Sequence, residues 1–207
     1  MNKVIAFEGL DYAGKSTMIE KILGKMKADG LHRPVLLAEP RKDSEEWKTI
    51  RKMVISPTIP KVAQIHMSVA QRAALYQEVV NPALKQGQRV ITDRCLLTSM
   101  VYQQDENHCA NDILFANVQA GRHLTKNVVP DIIVYLEIDH PTYMERLGKD
   151  REETEAIETH ISDPHVFRKF QDDYQSGLRL LRLTSNVKVI QSNDPDEVYK
   201  ELKRYGM

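Results

Sequence analysis

Eight residues near the amino terminus, Gly9-Leu10-Asp11-Tyr12-Ala13-Gly14-Lys15-Ser16, restrict the folds open to this chain more than any other segment. A glycine, four further residues and then Gly-Lys-Ser form a loop whose backbone N–H groups can converge on phosphate oxygens, because the glycines remove Cβ atoms from the approach. The motif needs a strand before it and a helix after it. Both flanks fit. Lys3-Val4-Ile5-Ala6-Phe7-Glu8 is a short apolar run that reads as a strand, and from Thr17 to about Ala28 the residues Ile19, Ile22, Leu23 and Met26 recur at helical spacing. The helix adds the positive end of its dipole. Lys15 is placed to reach the terminal phosphates, and the Ser16 hydroxyl to ligate Mg²⁺. The pattern predicts a site for a nucleoside triphosphate.

At 207 residues, without repeats, low-complexity tracts or an evident linker, the chain suits a single domain over residues 1–207. The formal net charge is zero, which gives no broad attraction to nucleic acid or to a membrane surface. Two cysteines, Cys95 and Cys109, are too few for a disulfide framework and fit a reducing cytoplasm. The opening Met-Asn-Lys-Val-Ile lacks the apolar core of a signal peptide, and no stretch approaches the ~18–20 apolar residues of a membrane span. A soluble cytoplasmic protein with no nucleic-acid or membrane partner is expected.

Further apolar runs follow at Pro34–Ala38, Arg89–Thr92, Ile132–Ile138 and Val187–Ile190. Lys61 to Lys85 reads as one long helix, and Asp194-Pro195-Asp196-Glu197 as the cap and first turn of a terminal helix. Strands alternating with helices imply an α/β fold: a five-stranded parallel sheet flanked by helices on both faces, with ligands at the carboxyl ends of the strands.

The third run ends in Asp93-Arg94. An acid there can hold a Mg²⁺-bound water, and the adjacent arginine can fork onto a second phosphate. Taken alone, the pair is better suited to a surface ion pair. It does not stand alone. Phe7-Glu8-Gly9-Leu10-Asp11 with Gly14-Lys15-Ser16-Thr17, Glu39-Pro40, Gln71-Arg72, Glu78 to Leu84, Asp93-Arg94 with Ser99 and Tyr102-Gln103, and Pro130-Asp131 together resemble the thymidylate kinases. Lys149-Asp150-Arg151 in the lid position, and Phe167, Phe170 and Tyr174 beyond it, add to the likeness.

The resemblance implies a P-loop nucleoside monophosphate kinase fold with a short lid, approximately residues 147–163, and transfer of the ATP γ-phosphate to dTMP. It also implies which residues bind. Gly9, Asp11, Tyr12, Ala13, Gly14, Lys15, Ser16, Thr17 and Arg146 would hold ATP, with Ser16 and Asp93 at Mg²⁺. Asp11 would also face the acceptor sugar or a metal-bound water, and Arg94 the acceptor phosphate. Arg72 would read the base edge, with Ser68, Ser99, Tyr102 and Gln103 around base and sugar and Glu39, Pro40, Arg41 and Arg51 near the acceptor phosphate. Family members pair through helices, so a homodimer is implied, with the apolar stripe of the long helix as its interface or as core.

Two departures from the family pattern carry consequences. Tyr12 stands where some relatives have an arginine, so catalytic charge should come from Arg146, Arg151 or both. Ser68 stands where the family usually stacks a phenylalanine on thymine, which leaves His66, Met67 or Tyr102 to replace the stack, or a different pyrimidine as substrate. Two other functions remain open: a deoxynucleoside kinase, with Glu39 or Glu8 as general base, and a nucleotide-binding switch with no acceptor. His108-Cys109 and His123 match no zinc spacing, and Trp47 reads as packing a helix beside Arg51.

Overall fold

The apolar runs become five short strands, all parallel. The structure, a computed structural model, describes residues 3–147 and 160–207. Strands β1 (Val4–Glu8), β2 (Val35–Ala38), β3 (Val90–Asp93), β4 (Ile132–Tyr135) and β5 (Lys188–Gln191) lie in the order β2-β3-β1-β4-β5. Ile5 is in register with Ile91 on one side and with Ile132 on the other. Every residue of β1 and β4 is buried, as expected of strands covered on both faces. Strand order reverses at β1, so its carboxyl end opens onto the crevice between β3 and β4, the switch point where ligands of such sheets gather.

The helices are α1 (Lys15–Ala28), α2 (Glu45–Ile55), α3 (Lys61–Leu75), α4 (Asn81–Lys85), α5 (Leu96–Tyr102), α6 (Ala110–Gly121), α7 (His140–Leu147), α8 (Pro164–Thr184) and α9 (Pro195–Arg204). The long helix expected over Lys61–Lys85 runs through a π turn at Tyr76–Val80 before α4. Asn81 N–H reaches back five residues to the Tyr76 carbonyl, and Pro82 has no N–H to continue an α ladder. Asp194 caps α9 through its side chain, as its sequence predicts, and Asp163 does the same for α8.

The core runs from β1 and β4 through Leu96, Leu97 and Met100 of α5 to Phe167, Tyr174, Leu178 and Leu181 of α8. Each fully buried Leu contributes roughly 1.5–3 kcal/mol. Gly177 lets α8 close on α5, since a Cβ there would lie 2.6 Å from Leu97 Cδ1. That close approach brings Phe170 and Tyr174 over the carboxyl ends of β1 and β3. No helix among the described residues is long and apolar enough to cross a membrane.

Candidate active site

The loop after β1 takes its shape from backbone that few residues tolerate. Gly9 has φ 138°, and a Cβ on it would meet the Leu136 carbonyl oxygen at 2.4 Å. Gly14 has φ 91° and precedes α1 with no side-chain cap, so the first N–H groups of that helix are left for an anion. The Lys15 ammonium is buried and donates to the carbonyls of Gly9 (3.0 Å) and Leu10 (2.8 Å). Burial, and then the positive charge of Arg94, bring its pKa down to about 8.

Arg94, just after β3, adopts φ 72°. Its Nη2 donates to Asp11 Oδ1 at 2.7 Å, and its Nη1 to Thr98 Oγ1 (3.1 Å), the Tyr174 hydroxyl (3.3 Å) and the Gly9 carbonyl (3.5 Å). The carboxylate of Asp11, ahead of Tyr102, Tyr174 and Glu8, holds Arg94 firmly protonated against burial. The buried Glu8 carboxylate anchors the turn beneath. It accepts from Cys95 N (2.8 Å), Thr98 N (3.1 Å) and Thr98 Oγ1 (2.8 Å). Arg94 is therefore not a surface ion-pair partner of its neighbour Asp93. Asp93 borders the same cavity, and its Oδ1 is buried without a hydrogen-bond partner among the described residues.

Helix α3 supplies the opposite wall. Arg72 donates through Nε to Glu39 Oε2 (2.5 Å), through Nη1 to Asn117 Oδ1 (2.5 Å) and through Nη2 to Ser99 Oγ (2.9 Å). Burial raises the pKa of Glu39, against the opposing charge of Arg72. Ser68 Oγ lies 2.8 Å from Ser99 Oγ. The Tyr102 hydroxyl is 3.5 Å from Asp11 Oδ2, and the Tyr102 ring meets Phe170 edge-on at 5.1 Å.

One cavity of about 1540 Å³ connects these groups, from Ser16, Thr17 and Arg146 at the loop to Pro40, Arg51, Ser68 and Gln103 at the far end. Arg146 Nη1 donates to the Tyr12 carbonyl at 2.7 Å, which sets an arginine beside the loop that lacks one. Asn193 borders the cavity and braces the Glu137 backbone at 3.1 and 2.7 Å. Arg151, with Lys149, Asp150 and most of the expected lid, lies outside the described residues.

Arg41 does not join the cavity. Its guanidinium pairs with Asp43 (2.8 Å) and Glu78 (2.7 Å) and stacks 4.5 Å over Trp47, because two carboxylates and an indole within reach outweigh a solvated cleft. The expectation that Arg41 lies at an acceptor phosphate is corrected, and Trp47 packs against Arg41. His66 and Met67 also stay out of the cavity, which leaves Tyr102 as the aromatic candidate of the three. Sequence reasoning missed Thr98, Asn117 and Arg168. Arg168 was open to discovery, since Pro164, Phe167, Arg168 and Gln171 repeat at helical spacing along the cavity. Nothing local marks Asn117, which is buried on α6 and reaches Arg72 across the fold.

Fold and site together define a P-loop nucleotide-binding protein with room for two phosphate-bearing ligands in one cleft. The sequence model described as thymidylate kinase matches residues 7–202. The chain belongs to the thymidylate kinase family. It is 30% identical to the thymidylate kinase of Pseudoalteromonas translucida over 200 residues, covering 94% of this chain and 90% of that one. It is 29% identical to that of Thermosipho africanus over 203 residues, with 96% and 94% covered. The crystal structure of thymidylate kinase from Ehrlichia chaffeensis shares the fold at a TM-score of 0.71 and 18% identity, covering 97% of this chain and 98% of that one.

Proposed function

We propose that the protein is an ATP-dependent phosphotransferase that converts dTMP and ATP into dTDP and ADP. Family membership supports the activity, and one observation carries the reading of the site: Lys15 and Arg94 donate to the same carbonyl, that of Gly9. A donor phosphate at Lys15 and an acceptor phosphate at Arg94 are thereby neighbours. An oxygen of the dTMP phosphate attacks the γ-phosphorus, the bond to the β–γ bridging oxygen breaks, and ADP leaves.

The transition state spreads charge over the non-bridging oxygens. Lys15 and the amides at the start of α1 would receive the donor side, with Arg146 adding a cation beside Tyr12. Arg151 remains the second candidate on sequence grounds. Asp93 and Ser16 would hold Mg²⁺. Both residues border the cavity, and a carboxylate with Oδ1 unpartnered among the described residues and a hydroxyl are the hard oxygen donors that Mg²⁺ prefers. When bound, the metal neutralises charge on the donor phosphates. Asp11 and Tyr102 would bracket the sugar, and Arg51 and Pro40 would border the acceptor phosphate.

A nucleoside acceptor would need Glu8 or Glu39 as a base. Glu8 is committed to the Cys95 and Thr98 amides, and Glu39 to Arg72, so neither favours that chemistry. A coupled assay of ADP release with dTMP, dUMP, dCMP, dGMP, dAMP and thymidine tests the reading. Turnover led by dTMP is expected. Absence of turnover with every monophosphate overturns it.

A cytoplasmic homodimer completes the reading. Its support is the family likeness, two free cysteines, and exposed Val62 and Phe115 on the adjacent helices α3 and α6. Sedimentation equilibrium giving a monomer at micromolar concentration would remove the dimer.

A further inference from the structure

Arg41 is turned away from the cavity between two residues that border it, Pro40 and Lys42. Its side chain is only 6% exposed, and all three guanidinium nitrogens are placed. Nε (3.0 Å) and Nη2 (2.8 Å) fork onto the two oxygens of Asp43, and Nη1 donates to Glu78 Oε2 at 2.7 Å. The guanidinium carbon lies 4.5 Å over the Trp47 ring, and the Arg41 N–H donates to Gln71 Oε1. An ion pair in water contributes little. A bidentate fork on a buried arginine, shared with a second carboxylate and an indole, is the exception.

The partners of Arg41 belong to separate elements. Asp43 sits in the loop before α2 and Trp47 in the first turn of α2, while Gln71 is on α3 and Glu78 on the π turn that follows it. Arg41 therefore clamps the start of α2 onto the α3 side of the fold. Ser44 caps α2 through the Trp47 N–H at 3.3 Å, so the helix begins at the clamped residue. Trp47, Arg51 and Val54 follow at helical spacing and form the inner stripe of α2, with Lys48, Lys52 and Met53 exposed beside it. Arg51 and Val54 border the cavity.

Fixing the Trp47 end of that stripe fixes the rotation of α2, and with it the direction in which Arg51 leaves the helix. We propose that Arg41 is a positioning residue for the acceptor: by holding Trp47 against the π turn it sets the rotation of α2 and keeps Arg51 over the acceptor phosphate. The inference rests on the reading that Arg51 borders that phosphate. Such a clamp serves one substrate. Among the described residues, none of its partners belongs to the phosphate loop, α1 or α7, which form the donor end of the cavity.

Trp47 is the one tryptophan of the chain, so its fluorescence reports the clamp without any substrate. The test measures acrylamide quenching, kcat, and KM for dTMP and ATP in the wild type, Arg41→Ala, Arg41→Lys, Glu78→Gln, Arg51→Ala and the Arg41→Ala/Arg51→Ala double variant. Arg41→Ala should raise quenching and should raise KM for dTMP about tenfold, with KM for ATP within about twofold. Arg41→Lys should not rescue it, because an ammonium neither forks nor stacks. Glu78→Gln, the mildest change, should move quenching and KM for dTMP the same way, KM by about two- to threefold. Once Arg51 is gone, removing Arg41 should cost dTMP nothing more. Equal rises in both KM values, a loss confined to kcat, or a further tenfold loss in the Arg51→Ala background overturns the proposal. So does a loosened Trp47 with KM for dTMP unchanged. If the wild type binds dTMP but transfers no phosphate, the kinase reading falls, and calorimetric dTMP affinities of the same variants still decide the clamp.

Discussion

Lys15 at the start of α1 and Arg94 just after β3 reach the same backbone oxygen, Lys15 Nζ at 3.0 Å and Arg94 Nη1 at 3.5 Å from the carbonyl of Gly9. The Tyr174 hydroxyl joins them at 3.2 Å. Three donors on one carbonyl hold the two cations close together before any phosphate arrives, which is the preorganisation that phosphoryl transfer rewards.

The lowered pKa of Lys15, about 8, gives a pH dependence. Bound polyphosphate favours the ammonium form, so above that pH the free enzyme must take up a proton to bind ATP. The logarithm of kcat/KM for ATP should fall with unit slope above pH about 8, with kcat little changed. A profile flat to pH about 10 would remove the role assigned to this ammonium. In the ligand-free protein the folded state binds fewer protons than the unfolded state between about 8 and 10.5, so stability should rise with pH across that window.

Arg146 donates to the Tyr12 carbonyl, which holds its guanidinium beside the phosphate loop, and Asp139 lies near enough to feel its charge. Arg146→Ala should lower kcat by about 10³ or more, in the range of an arginine acting on the transferring phosphoryl group, while KM for dTMP changes little. Steady-state kinetics with dTMP varied decide it. An unaltered kcat would transfer the task to Arg151.

Gly9→Ala should destabilise the fold and weaken ADP binding together. Its Cβ would lie 2.4 Å from the Leu136 oxygen at φ 138°, and Leu136 N is bonded to the Glu8 carbonyl at 2.9 Å. The backbone on both sides is pinned, so a loss of about 2 kcal/mol or more is expected in denaturant melts.

Arg72→Met should cost about 3–5 kcal/mol, because it strands the buried Glu39 carboxylate. The raised pKa of Glu39 means that the folded state holds its proton to higher pH than the unfolded state does. The variant should therefore regain stability as pH falls through that raised value, and its melting temperature should lie nearer the wild type at pH about 5 than at pH about 7.5. Adding Glu39→Gln should restore much of the loss at neutral pH.

The phosphate loop, the five strands and the cap at Asp194 were legible because each is written in contiguous residues. Strand order was not, since Arg89–Thr92 and Ile132–Ile138 read alike and only packing seats one on each side of β1. The π turn lay hidden in a periodicity that continues across it. Arg94 and Arg72 could be placed because motif spacing fixed their positions. Arg41 misled, because Glu78 comes to it from 37 residues away to complete the pairing that Asp43 and Trp47 begin nearby. Asn117 was silent for the same reason.

Arg94 has left-handed backbone at φ 72°, a conformation that costs a side-chain-bearing residue about 1–3 kcal/mol. Glycine would relieve that strain and remove the guanidinium. That relief is offset by the loss of the Asp11 ion pair and of the Thr98 and Tyr174 contacts, so the strained turn is held in place by the same bonds that aim the guanidinium, and a library screened for thermal resistance alone has little to gain by discarding it.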